Sequence, residues 1–260
     1  MGSASRQAMG AAIAALDALG KTDVETADRL LAATRAVAGS SQLRHLLADP
    51  GIEAHGKLGV VQRVFSGYGD VLRVIETVAA ARWSCGDELV DGLETLGFRA
   101  VAASAIGVSV ERELFAFGQV VRSDAELELA MGSALGTPES KAALVDRLLR
   151  SASPQARLVV RHIVLSLGRR RFADSVKRAA AAIAEQAGFG VATVRTAASL
   201  TDQQQIRLAG ALESRYGRKL SINQVVDPSL IGGVRISVGD DVIDGSVATR
   251  LNDLRLQLAG

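Results

Sequence analysis

The segment Val226–Val247 constrains the fold of this chain more than any other stretch, because turn and strand signals follow one another in it. Asp227-Pro228 excludes a helix, since proline fixes its own φ and pushes the preceding residue into an extended conformation. Residues 234–238 alternate apolar and polar side chains, which predicts a strand with one buried face. A turn at residues 239–241 returns the chain through Val242-Ile243, so we expect a β-hairpin.

The end of this segment predicts a last helix. Asp244-Gly245 closes the hairpin, and Ser246 is a favourable N-cap residue. Apolar side chains then recur on one helical face, at Val247, Leu251, Leu254 and Leu258. The expected order is therefore a turn, a hairpin and a helix that packs against it.

This segment resembles the C-terminal signature of the delta subunits of bacterial F-type ATP synthases, a family related to the mitochondrial oligomycin-sensitivity-conferring protein. The resemblance rests on two blocks at matching spacing, Val-Asp-Pro-Ser-Leu-Ile-Gly-Gly at 226–233 and Val-Ile-Asp-Gly-Ser at 242–246. It implies a non-catalytic stator subunit of a peripheral stalk, in a longer form with a duplicated helical region. The first helix lacks the Tyr-Ala pair that usually opens it in the family, which leaves open which helical copy contacts other subunits.

Composition favours helices over most of the chain. Hydrophobic residues make up 48% of it and aromatic residues only 3%, and the apolar share is largely Ala, Leu and Val, of which Ala and Leu form helices most readily. A net charge of +2 is too small to indicate a nucleic-acid partner by itself. The single cysteine, Cys85, excludes an internal disulfide. No uncharged run approaches the ~20 apolar residues of a membrane span, so we expect a soluble protein.

Residues 1–187 are expected to be helical in two similar parts. Residues 1–105 form an N-terminal helical bundle, and residues 106–187 form a second helical repeat. The motif Lys57, Val61, Arg63 is matched by Lys141, Val145, Arg147. A shift of roughly 85 residues is too long for a solenoid repeat, so duplication of a helical unit is the better interpretation. A chance match between two Ala/Leu-rich stretches is the alternative.

Residues 188–260 change in composition and are expected to form a small α+β module. Val191–Thr196 and Lys219–Val226 are rich in strand formers. Between them, Thr201 and Gln204 have the spacing of a helix capping box, and the helix ends at Gly217. The expected fold is therefore mainly α: an N-terminal helical bundle, duplicated, followed by an α+β C-terminal module.

No catalytic, cofactor or metal site is predicted. Gly20-Lys21-Thr22 resembles part of a phosphate-binding loop, but Ala15 stands where that loop needs glycine, and a helix precedes it instead of a strand. The three histidines, His45, His55 and His162, show no metal-ligand spacing and are expected at the surface or hydrogen-bonded in the core. Asp240-Asp241 is more typical of a turn than of a cation site.

The densest basic run, Arg169 to Arg171, supports one alternative function, a helical nucleic-acid-binding module. Such a module would bind with a steep dependence on salt. A solvated helix face is the simpler interpretation of these charges. The family signature at the C-terminus favours the stator interpretation over this alternative.

The resemblance also implies partners. The helical region would bind the alpha subunits of the catalytic hexamer, and the C-terminal module would bind the C-terminal helix of the membrane-anchored b-type stalk subunit. The protein would then lie at the cytoplasmic side of the cell membrane as a peripheral subunit. We expect the stalk contact near Leu230, Ile231, Gly232 and Gly233, although Leu230 and Ile231 fit the module's own core equally well.

Overall fold

A computed structural model describes residues 1–132, 137–166, 171–239 and 241–247. Eleven helices precede the first strand in the described chain. They are α1 (Ser3–Asp17), α2 (Val24–Gly39), α3 (Ser41–Ala48), α4 (Ala54–Val64), α5 (Val71–Ala80), α6 (Gly86–Ser104), α7 (Val110–Ser123), α8 (Ala125–Gly132), α9 (Pro138–Leu148), α10 (Pro154–Ser166) and α11 (Phe172–Gln186). Side-chain caps begin several of them; Asp23 and Ser40, for example, accept hydrogen bonds from the amides of Thr26 and Leu43.

One continuous apolar core runs through these helices, from Ala8 on α1 to Ile183 on α11. Two glycines of α6 let neighbouring elements approach closely. A Cβ on Gly97 would lie 2.3 Å from Leu31 of α2, and one on Gly92 would lie 2.4 Å from the ring of Trp83. Trp83, in the link between α5 and α6, is 3% exposed and donates its indole N–H to the Val78 carbonyl over 2.8 Å.

The order of the helices repeats along the chain. Helices α7 to α11 follow α2 to α6 with similar lengths and links, and the first residues of the paired helices are Val24 and Val110, Ser41 and Ala125, Ala54 and Pro138, Val71 and Pro154, and Gly86 and Phe172. Packing repeats as well, since α4 packs on α5 as α9 packs on α10, and α2 on α3 as α7 on α8. These correspondences support the duplication, which we retain as a proposal.

The C-terminal module is a mixed four-stranded sheet with one helix between its first two strands. Its elements are β1 (Gly190–Thr196), α12 (Asp202–Tyr216), β2 (Leu220–Val226), β3 (Val234–Val238) and β4 (Asp241–Asp244). The strand order is β2-β1-β3-β4; β1 pairs parallel with β2 and antiparallel with β3, and β3 pairs antiparallel with β4. The expected hairpin is therefore confirmed.

Helix α12 covers the apolar face of this sheet. Its Leu212 is buried against Ala192 and Val194 of β1, together with Ile236 and Val238 of β3, and Val234 packs against the same cluster. The predicted buried face of β3 thus lies against α12. The predicted capping box is also present, because the Thr201 hydroxyl accepts from the Gln204 amide and the Gln204 side chain accepts from the Thr201 amide. Val247 is the last residue that the structure describes. The other residues on the apolar face of the predicted last helix, Leu251, Leu254 and Leu258, lie outside the described residues.

The chain divides into two compact units, Met1–Ile183 and Ala184–Gly260. Within the described ranges the first unit contains helices alone, and the strands occur in the second, so the mainly α fold with an α+β C-terminal module is confirmed. The division of the helical part into residues 1–105 and 106–187 stays a prediction. None of the described helices is both long and apolar enough to span a bilayer.

Candidate partner-binding surface

The turn after β2 is built around Asp227. Its carboxylate accepts hydrogen bonds from the Ser229 hydroxyl at 2.6 Å and from the Ser229 amide at 3.0 Å. These bonds lower the pKa of the Asp227 carboxyl from its ordinary value, the hydroxyl bond being the main cause. The Asp227 amide donates to the Thr196 carbonyl of β1 over 2.8 Å. The Asp-Pro-Ser sequence therefore fixes the path of the chain out of the sheet.

The two signature blocks contact each other in the folded module. Gly233 has φ +84°, and a Cβ placed there would lie 2.4 Å from the Gly245 carbonyl oxygen and 2.9 Å from Ser246 Cα. The Gly232 carbonyl accepts from the Val247 amide at 3.0 Å, and the Val234 carbonyl accepts from the Gly245 amide at 2.9 Å. Both glycines therefore serve the packing of the module against itself, which the sequence alone did not reveal.

Asp244 fixes the second block in the way that Asp227 fixes the first. Its carboxylate accepts from the Ser246 amide at 3.0 Å. The carboxylate also lies 3.8 Å from the guanidinium of Arg235, the β3 residue that pairs directly with Asp244 of β4. Each block thus contains an aspartate that accepts from the amide two residues later, an arrangement typical of Asx turns.

Exposed apolar side chains flank Gly232. Ile231 is 81% exposed and Val247 is 37% exposed, whereas Leu230 is half-buried. Because Gly232 holds Val247 by a backbone hydrogen bond, Ile231 and Val247 belong to the same edge of the module. An apolar surface of this kind suits burial against an amphipathic helix. It offers no nucleophile or general base.

The other predicted sites are distributed over the chain. Gly20 has φ +76° and follows α1, so Gly20-Lys21-Thr22 is a helix end and a link to α2. His45, His55 and Cys85 are exposed. The Asp241 carboxylate accepts a hydrogen bond from the Tyr216 hydroxyl, which ties β4 to the end of α12.

The basic run is only partly described. Arg169 and Arg170 lie outside the described residues, and Arg171 is exposed beside Phe172 at the start of α11. Arg171 lines an open groove of about 710 Å³ together with Arg122, Glu128 and Asp174. These carboxylates offset the positive charge of the groove. Among the residues that the structure describes, no three His, Cys, Asp or Glu side chains gather where a metal ion could bind.

The sequence did not predict one cluster of buried polar side chains. His162 of α10 is fully buried, and its ring contacts Glu94 of α6 and Arg35 of α2. The expectation that a histidine would be hydrogen-bonded in the core holds for His162. Its partners lie 68 and 127 residues away in the sequence, so no local spacing signals the contact.

Comparison with known proteins identifies the family. The family described as ATP synthase delta (OSCP) subunit matches residues 99–258, more than half of the chain. The chain is similar over its full length to ATP synthase subunit delta of Leifsonia xyli subsp. xyli, with 47% identity and 100% of both chains covered. It is 36% identical to the subunit delta of Streptomyces griseus subsp. griseus, again over 100% of both.

A solved structure, the Toxoplasma gondii mitochondrial ATP synthase hexamer, contains a chain with a TM-score of 0.38 and 21% identity, covering 63% of this chain and 97% of that one. The sequence comparisons carry the assignment by themselves, because they extend from end to end of this chain and of its relatives. The chain therefore belongs to the ATP synthase delta (OSCP) subunit family.

Proposed function

We propose that this chain, a non-catalytic stator subunit of an F-type ATP synthase, joins the alpha subunits of the catalytic hexamer to the membrane-anchored b-type stalk. The observation that carries the proposal is the division into two compact units, each with its own apolar core. An adaptor that must hold two partners through every rotor turn needs two preformed binding surfaces. Location at the cytoplasmic side of the membrane follows from membership of the complex and belongs to the proposal.

The helical unit is the proposed partner of the alpha subunits. The family match begins at residue 99 and runs to residue 258, so the second helical repeat together with the C-terminal module corresponds to the part shared across the family. This coverage supports residues 106–187 as the part that contacts the alpha subunits. Residues 1–105 are then the additional copy.

Hydrogen exchange of the full-length protein tests which copy binds. The probe is a peptide with the sequence of the N-terminal segment of the alpha subunit from the same complex. We expect slower amide exchange in α7 to α11 when the peptide is present. Slower exchange confined to α1 to α6 would contradict the assignment and place the contact on the first copy.

The C-terminal module is the proposed partner of the stalk helix, through the apolar edge that contains Leu230, Ile231, Gly232 and Gly233. The exposure of Ile231 beside Val247 supports it. Gly232 and Gly233 contribute by holding this edge in place, because their own surroundings are filled by Val247, Gly245 and Ser246.

Titration of the full-length protein with a peptide from the C-terminal end of the stalk subunit tests this contact. Ile231→Asp should weaken binding by about tenfold or more, since an apolar anchor is replaced by a charge. Ile206→Asp is the matched control, because Ile206 of α12 is 72% exposed in the same module. Equal affinities for wild type and Ile231→Asp would place the stalk contact elsewhere. Loss of binding in both variants would indicate damage to the module and not a local contact.

A further inference from the structure

Helix α10 connects the two helical parts. It packs against α7 and α9 of the second repeat and also against α2 and α6 of the first. Most of its circumference is buried, and the contact surface is largely apolar. Side-chain hydrogen bonds add polar ties between α10 and the first repeat. One lies at its first turn, where the Gln155 amide donates to the Ser104 carbonyl of α6 over 3.0 Å.

The second tie is the ring of His162. Its Nδ1 lies 3.2 Å from Arg35 Nη1 of α2, and its Nε2 lies 3.2 Å from Glu94 Oε1 of α6. A guanidinium can only donate hydrogen bonds, so Nδ1 must be the acceptor. His162 is therefore neutral with its proton on Nε2, and it donates that proton to the Glu94 carboxylate. One ring thus links three helices from both repeats.

Several other groups face the ring or its partner Arg35. The Asp28 carboxylate lies 3.7 Å from Arg35 Nη2. Arg161 and Tyr68 also interact electrostatically with the Arg35 guanidinium. The Ser166 hydroxyl lies 3.4 Å from Nε2 and donates to the His162 carbonyl. Phe98 of α6 meets the ring edge-on with a centroid separation of 6.0 Å. The Leu31 backbone carbonyl is a further hydrogen-bond acceptor that faces the ring.

A proton added to His162 breaks this arrangement. A protonated Nδ1 is a donor and would face the N–H donors of Arg35. Arg35 then loses Nδ1 as an acceptor, and the guanidinium and the imidazolium face each other in a buried site. Glu94 gains attraction to the ring, but it already accepts the Nε2 proton and gains no new hydrogen bond from it. The added charge is buried, and its loss of hydration outweighs the attraction of Glu94.

We propose that Arg35, Glu94 and His162 form an acid-sensitive latch between the two helical repeats. With His162 neutral, the latch holds α10 against α2 and α6. With His162 protonated, Arg35 is released and α10 loosens from the first repeat. The joint between the repeats is therefore rigid at neutral pH and weakens in acid.

The sign of the pH dependence follows from the buried ring. Desolvation lowers the pKa of His162 from its ordinary value of 6.5, and the attraction of Glu94 only partly offsets it. The unfolded chain therefore binds a proton more readily than the folded one below pH 6.5. The stabilising contribution is complete above that pH and is lost as the pH falls from 6.5 toward the folded-state pKa.

The test uses the full-length protein and a pH-insensitive replacement. Glutamine at 162 can accept from Arg35 and donate to Glu94 but cannot be protonated. His162→Gln therefore keeps the hydrogen bonds between the helices and removes their pH dependence. The exposed His45→Gln is the matched control. Between pH 6.5 and the folded-state pKa, the unfolding equilibrium constant of the wild type should rise by up to about tenfold per pH unit relative to His162→Gln. His45→Gln should follow the wild type.

Hydrogen exchange shows whether the joint itself loosens. At each pH, α10 amides should exchange faster in the wild type than in His162→Gln as the pH falls, whereas α5 amides should exchange alike in both. Identical pH profiles of α10 in the two proteins would overturn the latch. If His162→Gln fails to fold, the histidine NMR signals of the wild type decide: an Nε2–H tautomer that titrates below pH 6.5 supports the proposal, and titration at or above 6.5 refutes it.

Discussion

At the residue scale, Gly233 shows how the family signature works. Its φ of +84° lies in the left-handed region, and the position of its missing Cβ is occupied by the Gly245 backbone. A larger residue would have to adopt an unfavourable conformation and also displace the second block of the signature. The two blocks are therefore coupled by one close backbone contact.

Gly233→Ala should destabilise the C-terminal module by roughly 3 kcal/mol or more, since conformational strain and overlap with the Gly245 carbonyl add. Gly239→Ala separates the two causes, because Gly239 also has a positive φ, +59°, but no described residue other than its chain neighbours lies within 4 Å of its missing Cβ. The control should lose only about 1–2 kcal/mol. Urea unfolding followed by the amide NMR signals of β1 and β3 measures both variants. Equal losses would show that the close approach of the blocks is unimportant.

The site residues were only partly predictable from the sequence. Glycine at 232 and 233 signals backbone freedom, but the sequence does not tell whether a partner or the protein's own chain fills the space. The structure places Gly245 and Ser246 there. His162 illustrates the same limit, because a ring that links Arg35, Glu94 and α10 depends on tertiary contacts without a local signal.

At the scale of elements, local sequence signals mark both ends of α12. Its capping box and the left-handed Gly217 at its end were both predictable, since they depend on neighbouring residues alone. The same holds for the alternation in β3. The parallel pairing of β1 with β2 was not predicted, because pairing partners are fixed by the way α12 packs on the sheet.

Thr201→Ala should destabilise the C-terminal module by about 1 kcal/mol, because the amide of Gln204 loses its side-chain acceptor. The matched control is Thr95→Ala on α6. Thr95 is exposed, and its hydroxyl donates to the Asp91 carbonyl one turn earlier, so little change in stability is expected. Chemical denaturation monitored by circular dichroism gives both values. A loss for Thr95→Ala as large as that for Thr201→Ala would argue against a specific capping effect.

At the scale of the whole molecule, the chain consists of a helical unit and an α+β unit with separate cores. The change in composition leads us to expect a boundary near residue 188, where the α+β module begins. Contacts within the folded chain divide it between Ile183 and Ala184, inside α11. Composition does not register contacts between residues far apart in the chain, so it cannot fix the residue at which the division falls.

Brief digestion with chymotrypsin should cut first after Phe189. Phe189 lies between α11 and β1 and is 38% exposed, whereas the other phenylalanines are buried or half-buried. Backbone segments between compact units are the preferred sites of nicking. Mass spectrometry of the first products should therefore show residues 1–189 and 190–260. First cleavage within the helical unit would contradict the division.

Trp83 makes tryptophan fluorescence a probe of one of the two units. It is the single tryptophan of the chain, and it is buried within the helical unit, where its indole bonds to the Val78 carbonyl. Tryptophan emission therefore reports on the helices and is silent about the sheet, while circular dichroism responds to both. Recorded together during one melt, the two signals give the order in which the helical unit and the C-terminal module lose their structure.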